Sequence, residues 1–369
     1  MTPMVWFAGR SAVLDLTALA SAFALGYLFN KATTSGASTC TSARKATGSL
    51  DRVLSHYGYA NGGAAKSNGN GNGNDNRARE NGHHQGHENV PDCPYKYLVG
   101  LYGHHHFARF VAAFRPTLRE DDAEKYTLVL DIMDAVHLCL ILVDDICDNS
   151  TKRKNQTAAH LLYGSCETAN RAYLVLTRVI NRAVQTRPVL GAELVRALEL
   201  ILEGQDLSLV WRRDGLQAFG AEGEEAGVLR YKKMALLKTG HLFILLGRLL
   251  NDGGDQLDDL LGRFGWYAQL QNDCKNIYSD EYATNKGAVA EDLRNGELSY
   301  PVVVALNDPS TKQQMQKAFR TRSEGDILQA LEGLQSPAVK NKCVKALQEA
   351  GQGLDKLVAV WGRHEKMGS

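Results

Sequence analysis

Three aspartates close an apolar stretch, and that placement constrains the chain more than any other feature. Asp144, Asp145 and Asp148 follow the apolar residues 136–143 in the run Asp144-Asp145-Ile146-Cys147-Asp148-Asn149. In a helix, Asp144 and Asp148 are i, i+4 neighbours, so both carboxylates leave one face with Asp145 beside them. Three acids at the end of an apolar helix are costly unless a cation sits among them. Oxygen donors, with no Cys/His pair at metal spacing, point to Mg²⁺ held together with a substrate's phosphates. The competing reading is a solvated acidic helix end.

A second run disfavours that alternative. Gln269-Leu270-Gln271-Asn272-Asp273-Cys274-Lys275-Asn276 again puts metal-capable groups on an apolar helix. Asp273 and Asn276 are i, i+3, and Asn272 and Asn276 are i, i+4, so one face can carry them. Two such helices facing across a pocket would hold a diphosphate through bridging Mg²⁺. The metal would neutralise the diphosphate as an allylic carbon–oxygen bond breaks, and apolar walls would take a hydrocarbon chain.

His137-xxxxxx-Asp144-Asp145-xx-Asp148-Asn149-Ser150, then Arg153, Ala159-His160 and Tyr163-Gly164, resembles the first aspartate-rich region of the trans-isoprenyl diphosphate synthases. Fungal geranylgeranyl diphosphate synthases are especially similar. Gly204-Gln205-Asp206, Trp211-Arg212, Lys238-Thr239-Gly240-His241, Asn272-Asp273-xx-Asn276, Asn285-Lys286-Gly287, Glu291-Asp292-Leu293 and Ser299-Tyr300-Pro301 follow in that family's order. The similarity runs from 94 to beyond 306, and order and spacing carry it more than any single motif. The resemblance implies an all-α bundle of long helices around a central cavity, commonly a homodimer. It implies Mg²⁺ ligation by Asp144, Asp145 and Asp148, with Asp273 and Asn276 opposite. Lys238, Lys286 and Arg153 would contact the allylic diphosphate donor. Gln205 and Thr239, beside Lys238, would line the wall near the reacting carbon, and Gln271 and Asn272 would face substrate.

The departures are more telling. The second motif begins with Asn272 where the family usually has an aspartate, which weakens a second metal site by one charge. Chain-elongating relatives carry Gly-Lys-x-x-Arg before the first motif, and that pair clamps isopentenyl diphosphate. Here the segment is Gly103-His104-His105-His106-Phe107, so His104 stands for the lysine and Phe107 for the arginine. Arg-Arg-Gly likewise becomes Arg153-Lys154-Asn155. A neutral imidazole and a phenyl ring cannot replace two fixed cations. The donor half is thus retained, while the acceptor half, with His104, Phe107, His137 and Lys154, is remodelled.

Three readings follow: a prenyltransferase with another acceptor, a terpene cyclase, or a geranylgeranyl diphosphate synthase. The first resembles fungal indole-diterpene geranylgeranyl transferases, whose acceptor is an aromatic such as indole-3-glycerol phosphate. Cys139 and Leu140 precede the first motif where relatives set chain length, and neither plugs the channel, which favours a C20 donor. The net charge of +1 gives no footprint for nucleic acid. Seven cysteines without zinc or redox spacing suit a reducing compartment. Residues 11–30, apolar except for Asp15, are roughly long enough to anchor the chain to a membrane, a targeting peptide and an amphipathic surface helix being the alternatives. The cytoplasmic face of a membrane such as the endoplasmic reticulum, or the cytoplasm, is the expected setting. Residues 31–90, rich in Gly, Ser and Asn, read as a disordered tether, and 93–366 as the catalytic domain.

Overall fold

The computed structural model describes residues 91–220, 223–286 and 290–366. The expected anchor at 11–30 and the tether at 31–90 lie outside the described residues. The described chain is helical apart from one two-stranded hairpin, Lys152–Arg153 with Gln156–Thr157. The all-α architecture expected from the sequence is present.

The helix that carries the first motif, α1 (Ala123–Cys147), starts where the Asp122 side chain accepts a hydrogen bond from Lys125 N at 2.9 Å. It is long and apolar enough to cross a membrane, yet most of its apolar window is buried inside the fold. It is the central helix of the core, packed against α2 (Ser165–Thr186). Then come α3 (Pro188–Asp214), α4 (Glu224–Ala235), a π-helical turn at Leu236–Gly240, α5 (His241–Leu250) and α6 (Asp258–Tyr278).

Two apolar clusters divide the long helices. Leu190 to Ile201 of α3 and Leu261 to Ala268 of α6 join a core with Val129, Met133 and Phe243. Trp211 of α3 and Leu270 and Ile277 of α6 join another around Tyr231, Val303 and Val339. Gln205 and Gln269 fall where each helix passes from one core to the other, so both polar side chains sit at the seam.

Close backbone approach fixes the π turn there. A Cβ on Gly204 would lie 2.4 Å from Lys238 N, and one on Gly265 would lie 2.4 Å from Gly240 Cα. Only glycine allows α3 and α6 to grip the turn that presents Lys238 and Thr239. Gly204→Ala is therefore expected to cost about 1–3 kcal/mol through overpacking, and displacement of Lys238 should lower turnover about a hundredfold. Gly262→Ala is the control, since its Cβ would meet only side-chain methyls, the nearest at 3.3 Å. Melting temperature and turnover of the two variants check this; equal behaviour would refute it.

Candidate active site

The end of α1 is built to expose two of its three aspartates. Asn149 adopts φ +51°, Asn149 N donates to Ile146 O and Ser150 N to Asp145 O, which is a complete Schellman stop. Within the second half of α1, His137, Leu140, Ile141 and Asp144 are partly accessible among largely buried neighbours. Their i, i+3, i+4, i+7 spacing makes one open stripe, and Asp148 continues it one turn on.

Cations and amides converge on that stripe. Lys238 Nζ lies 3.4 Å from Asp144 Oδ1 and 3.3 Å from Glu297 Oε1. Gln205 Nε2 donates to Asp144 Oδ1 at 3.3 Å. Arg212 donates to Asp148 Oδ1 at 2.9 Å and to Cys147 O at 2.6 Å, placing its charge on the negative end of α1. Burial, reinforced by the charges of Asp144 and Glu297, pushes Asp148 up to about 8 despite Lys238 and Arg212. Burial opposes the charge on Lys238, but Asp144, Glu297 and Asp148 together hold its pKa well above the ordinary lysine value. Carboxylates outnumber cations here, which is a site short of positive charge.

Asp145 departs from the expected ligand role. It is buried, and the Arg153 guanidinium closes on both its oxygens. A two-residue turn with φ +50° at Lys154 and +60° at Asn155 brings Arg153 back to Asp145. The same turn sets Lys154 Nζ 4.1 Å from the centre of the Tyr102 ring.

The second run is split between faces. Asp273 turns inward and accepts from Tyr231 Oη at 2.5 Å, Tyr300 N at 2.8 Å and Gln269 Nε2 at 2.8 Å. Gln269 Oε1 in turn holds the Thr239 hydroxyl. Asn272 is exposed and takes the Tyr282 hydroxyl at 2.8 Å. Asn276 donates to Asp292 Oδ1 at 3.2 Å, and its own Oδ1 is buried with no hydrogen-bond partner among the described residues. Gln271 is taken up away from the diphosphate residues, between Tyr267 Oη and Trp361 Nε1. Lys286 closes a short helix, Asp280–Lys286, and its side chain lies outside the described residues.

The remodelled clamp region holds a different arrangement from the one expected. Phe107 does not line a substrate site: it is wholly buried in the core, against Phe110, Phe243 and the edge of His137. A phenyl ring here completes the apolar core of α1 and α5. His104 is exposed, its ring 3.8 Å from that of His105. His106 Nε2 lies 2.7 Å from His137 Nδ1. Cys139 is fully buried core, so Leu140 alone of the two chain-length positions reaches the open stripe.

Comparison with known proteins decides the relationship. The family model described as polyprenyl synthetase matches residues 90–334. The chain belongs to that family. Within it, Prenyltransferase idtC of Claviceps paspali is 69% identical over 370 residues, covering 100% of this chain and 99% of the relative. Prenyltransferase ltmC of Epichloe festucae var. lolii is 61% identical over 367 residues, covering 100% and 99%. Prenyltransferase terC of Tolypocladium album is 67% identical over 275 residues, or 74% of this chain and 81% of the relative. A crystal structure of polyprenyl synthase from Caulobacter crescentus CB15, complexed with calcium and isoprenyl diphosphate, shares the fold. It has a TM-score of 0.57 at 20% identity, covering 73% of this chain and 82% of that one. The chain is a prenyltransferase.

The sequence gives no role to Glu297, Arg212 or Tyr231 on its own. Only the fold brings them to Lys238, Asp148 and Asp273, which lie 59, 64 and 42 residues away in sequence. Tyr231 matters most for Asp273: burial pushes that carboxyl up to about 6 from its ordinary 3.8, against the hydrogen bonds from Tyr231, Tyr300 and Gln269. A carboxyl raised on folding binds its proton more tightly when native, so wild-type stability falls as pH rises through about 4 to 6. Relative to Asp273→Asn, the wild-type chain should lose on the order of 3 kcal/mol over that window. Urea melts of both chains from pH 4 to 7 check it; parallel curves would refute the burial account.

Proposed function

We propose that this prenyltransferase ionises a long allylic diphosphate, geranylgeranyl diphosphate by the open wall at Leu140, in a Mg²⁺-dependent reaction. The prenyl group then passes to an aromatic acceptor, an indole such as indole-3-glycerol phosphate, in secondary metabolism. One observation carries the reading: the donor constellation of Asp144, Asp148, Gln205 and Lys238 is assembled, while the acceptor clamp is replaced by an exposed His104 and a buried Phe107.

The residues fit a hard divalent cation. Asp144 and Asp148 present oxygens on one stripe, and Asp148 holds a proton unusually well because it is buried, beside the charges of Asp144 and Glu297. Asn276 adds a buried, unpartnered amide oxygen from the second run. Bound there, Mg²⁺ would supply Lewis-acid stabilisation of the leaving diphosphate. Lys238 holds a fixed positive charge beside Asp144, where departing phosphate oxygens gain charge. Gln205 and Arg212 lock the two carboxylates, and Gln269 orients Thr239 on the π turn. Asp145 and Asp273 position Arg153 and the second-motif helix instead of holding metal. The aromatic and imidazole rings of Tyr102 and His137 suit a flat aromatic ring better than a second diphosphate.

The test is a product assay on the full-length chain with Mg²⁺ and geranylgeranyl diphosphate, alone and with indole-3-glycerol phosphate, beside farnesyl and isopentenyl diphosphates. A prenylated indole is the expected product. A hydrocarbon from geranylgeranyl diphosphate alone would establish a cyclase, and elongation in the last tube a synthase.

Homodimer formation is part of the same proposal. Tyr173, Leu174 and Val184 on α2, and Val189, Val195 and Leu202 on α3, are exposed on two neighbouring helices. Val195→Lys with Leu202→Lys should convert a sedimenting dimer to monomer; an unchanged sedimentation coefficient would remove this face from consideration. Residues 11–30 are proposed to hold the enzyme at the cytoplasmic face of a membrane, on the support of their apolar sequence.

A further inference from the structure

Two neighbouring histidines rarely bring their rings together, because successive side chains point to opposite faces of a strand and diverge by about 100° around a helix. His104 and His105 nevertheless stand with ring centres 3.8 Å apart. They lie in the turn between the helices Pro94–Tyr102 and Ala108–Phe114. Gly103 takes φ +84° there and His105 φ +57°, which doubles the chain back on itself. Asp131 and Asp134, i, i+3 on α1, both reach this turn.

One nitrogen of each ring and a carboxylate oxygen of Asp134 lie within 4.8 Å of one another. Asp134 is 2% exposed, and its Oδ2 accepts from His105 N at 2.6 Å. Its Oδ1 is buried and makes no hydrogen bond among the described residues, since the 2.8 Å contact with His106 Nδ1 lacks hydrogen-bond alignment. A buried carboxylate oxygen without a donor is costly, and a cation beside it removes that cost.

His105 is held from behind. Its Nε2 is hydrogen-bonded to Asp131 Oδ1 at 2.9 Å, and Asp131 Oδ2 accepts from Arg182 of α2 at 2.5 Å. An ionised carboxylate only accepts, so His105 Nε2 carries the hydrogen and Nδ1 keeps its lone pair. Nδ1 is also the ring nitrogen nearer the backbone N–H that bonds Asp134. A carboxylate behind the imidazole is the device that fixes the tautomer of a metal-ligating histidine. His104 is exposed and makes no hydrogen bond among the described residues, so its ring can turn toward the other two.

We propose that His104, His105 and Asp134 form a second metal site, for a borderline divalent cation of which Zn²⁺ is the best matched. Two imidazole nitrogens and a carboxylate oxygen are a zinc donor set, three protein ligands with a fourth position open to water. The same donors discriminate against Mg²⁺, which takes oxygen ligands and keeps its waters. The site is therefore chemically separate from the one at Asp144 and Asp148. Tetrahedral bonds of about 2.0–2.2 Å set ligands about 3.4 Å apart, so the donors close by about 1.4 Å at most, a movement within reach of the exposed His104. The ion ties the turn at 103–105 to α1 and, through Asp131 and Arg182, to α2.

The experiment is equilibrium dialysis of the full-length chain against Zn²⁺ with Mg²⁺ in large excess, read by elemental analysis and by thermal melts. His83, His84 and His87 offer a rival set of imidazoles, so the chain is also measured with all three changed to Ala. That variant should keep one tight Zn²⁺ and melt at a higher temperature with the ion than without it. In the same background, His104→Ala should weaken the site at least about a hundredfold and Asp131→Asn, which leaves all three ligands in place, about 10–100-fold. His104→Ala should also melt at the same temperature with and without Zn²⁺. Asp134→Asn should lose the tight ion as His104→Ala does. No tight Zn²⁺, Zn²⁺ that is lost with His83, His84 and His87, or Zn²⁺ that survives His104→Ala overturns the proposal. Zn²⁺ that is lost with Asp144→Ala instead would place it at the aspartate motif and overturn it equally.

Discussion

Asp144→Ala is expected to lower turnover of an allylic diphosphate by at least about a thousandfold while leaving the fold intact. Asp144 lies on the open stripe, partly accessible, with its hydrogen bond from Gln205 and its ion pair to Lys238. Its removal also relieves Asp148 of a like charge, so the melting temperature should hold or rise. Asp145→Ala, one residue away, should behave in the opposite sense. Asp145 is 1% exposed and holds Arg153, so its loss strands a buried guanidinium. Breaking one partner of a buried pair costs about 3–5 kcal/mol. Circular-dichroism melts and turnover, measured on both variants, separate the two roles. An Asp145→Ala chain that melts like wild type but is inactive would return Asp145 to the metal site.

The adjacency of these two outcomes shows what the sequence discloses and what it withholds. The order and spacing of the motifs, through the family they resemble, implied the all-α bundle, and helical periodicity placed Asp144 and Asp148 on one face, because that follows from local geometry. The same local geometry could not separate Asp145 from its neighbours. That depends on a hairpin whose turn residues, Lys154 and Asn155, take positive φ and return Arg153 to α1. The inward turn of Asp273 is hidden for a similar reason: its partners Tyr231 and Tyr300 come from α4 and from Tyr300–Leu306, and nothing near Asp273 announces them. Glu297 was invisible as an isolated acid in a loop; only Lys238 and Ser208, both distant in sequence, give it a role. Motif position carried the identity of the site, and long-range pairing decided which way each side chain faced.

Phe107 is where that distinction has its largest consequence. From the sequence, restoring the cationic clamp with His104→Lys and Phe107→Arg would be expected to return the use of isopentenyl diphosphate. The structure changes the expected result. Phe107 has no exposed surface and packs on Phe110, Phe243 and His137 inside the core of α1 and α5. An arginine there would lose the aromatic packing, worth about 3–5 kcal/mol when a buried phenylalanine is truncated. It would also bury a charge among aromatic rings. Phe107→Arg should therefore yield little folded protein, whereas His104→Lys, at an exposed position, should fold as wild type does. Soluble yield and thermal melts of the single variants are the check, with elongation of farnesyl diphosphate measured on whichever chains fold. A well-folded Phe107→Arg chain that elongates would mean the segment 103–107 can turn its side chains outward, and the acceptor half would then be switchable by two residues. A chain that fails to fold means the switch of acceptor is locked by the core: the aromatic ring that removed the clamp became part of what holds α1 in place, and a return to elongation would require repacking Phe110 and Phe243 as well.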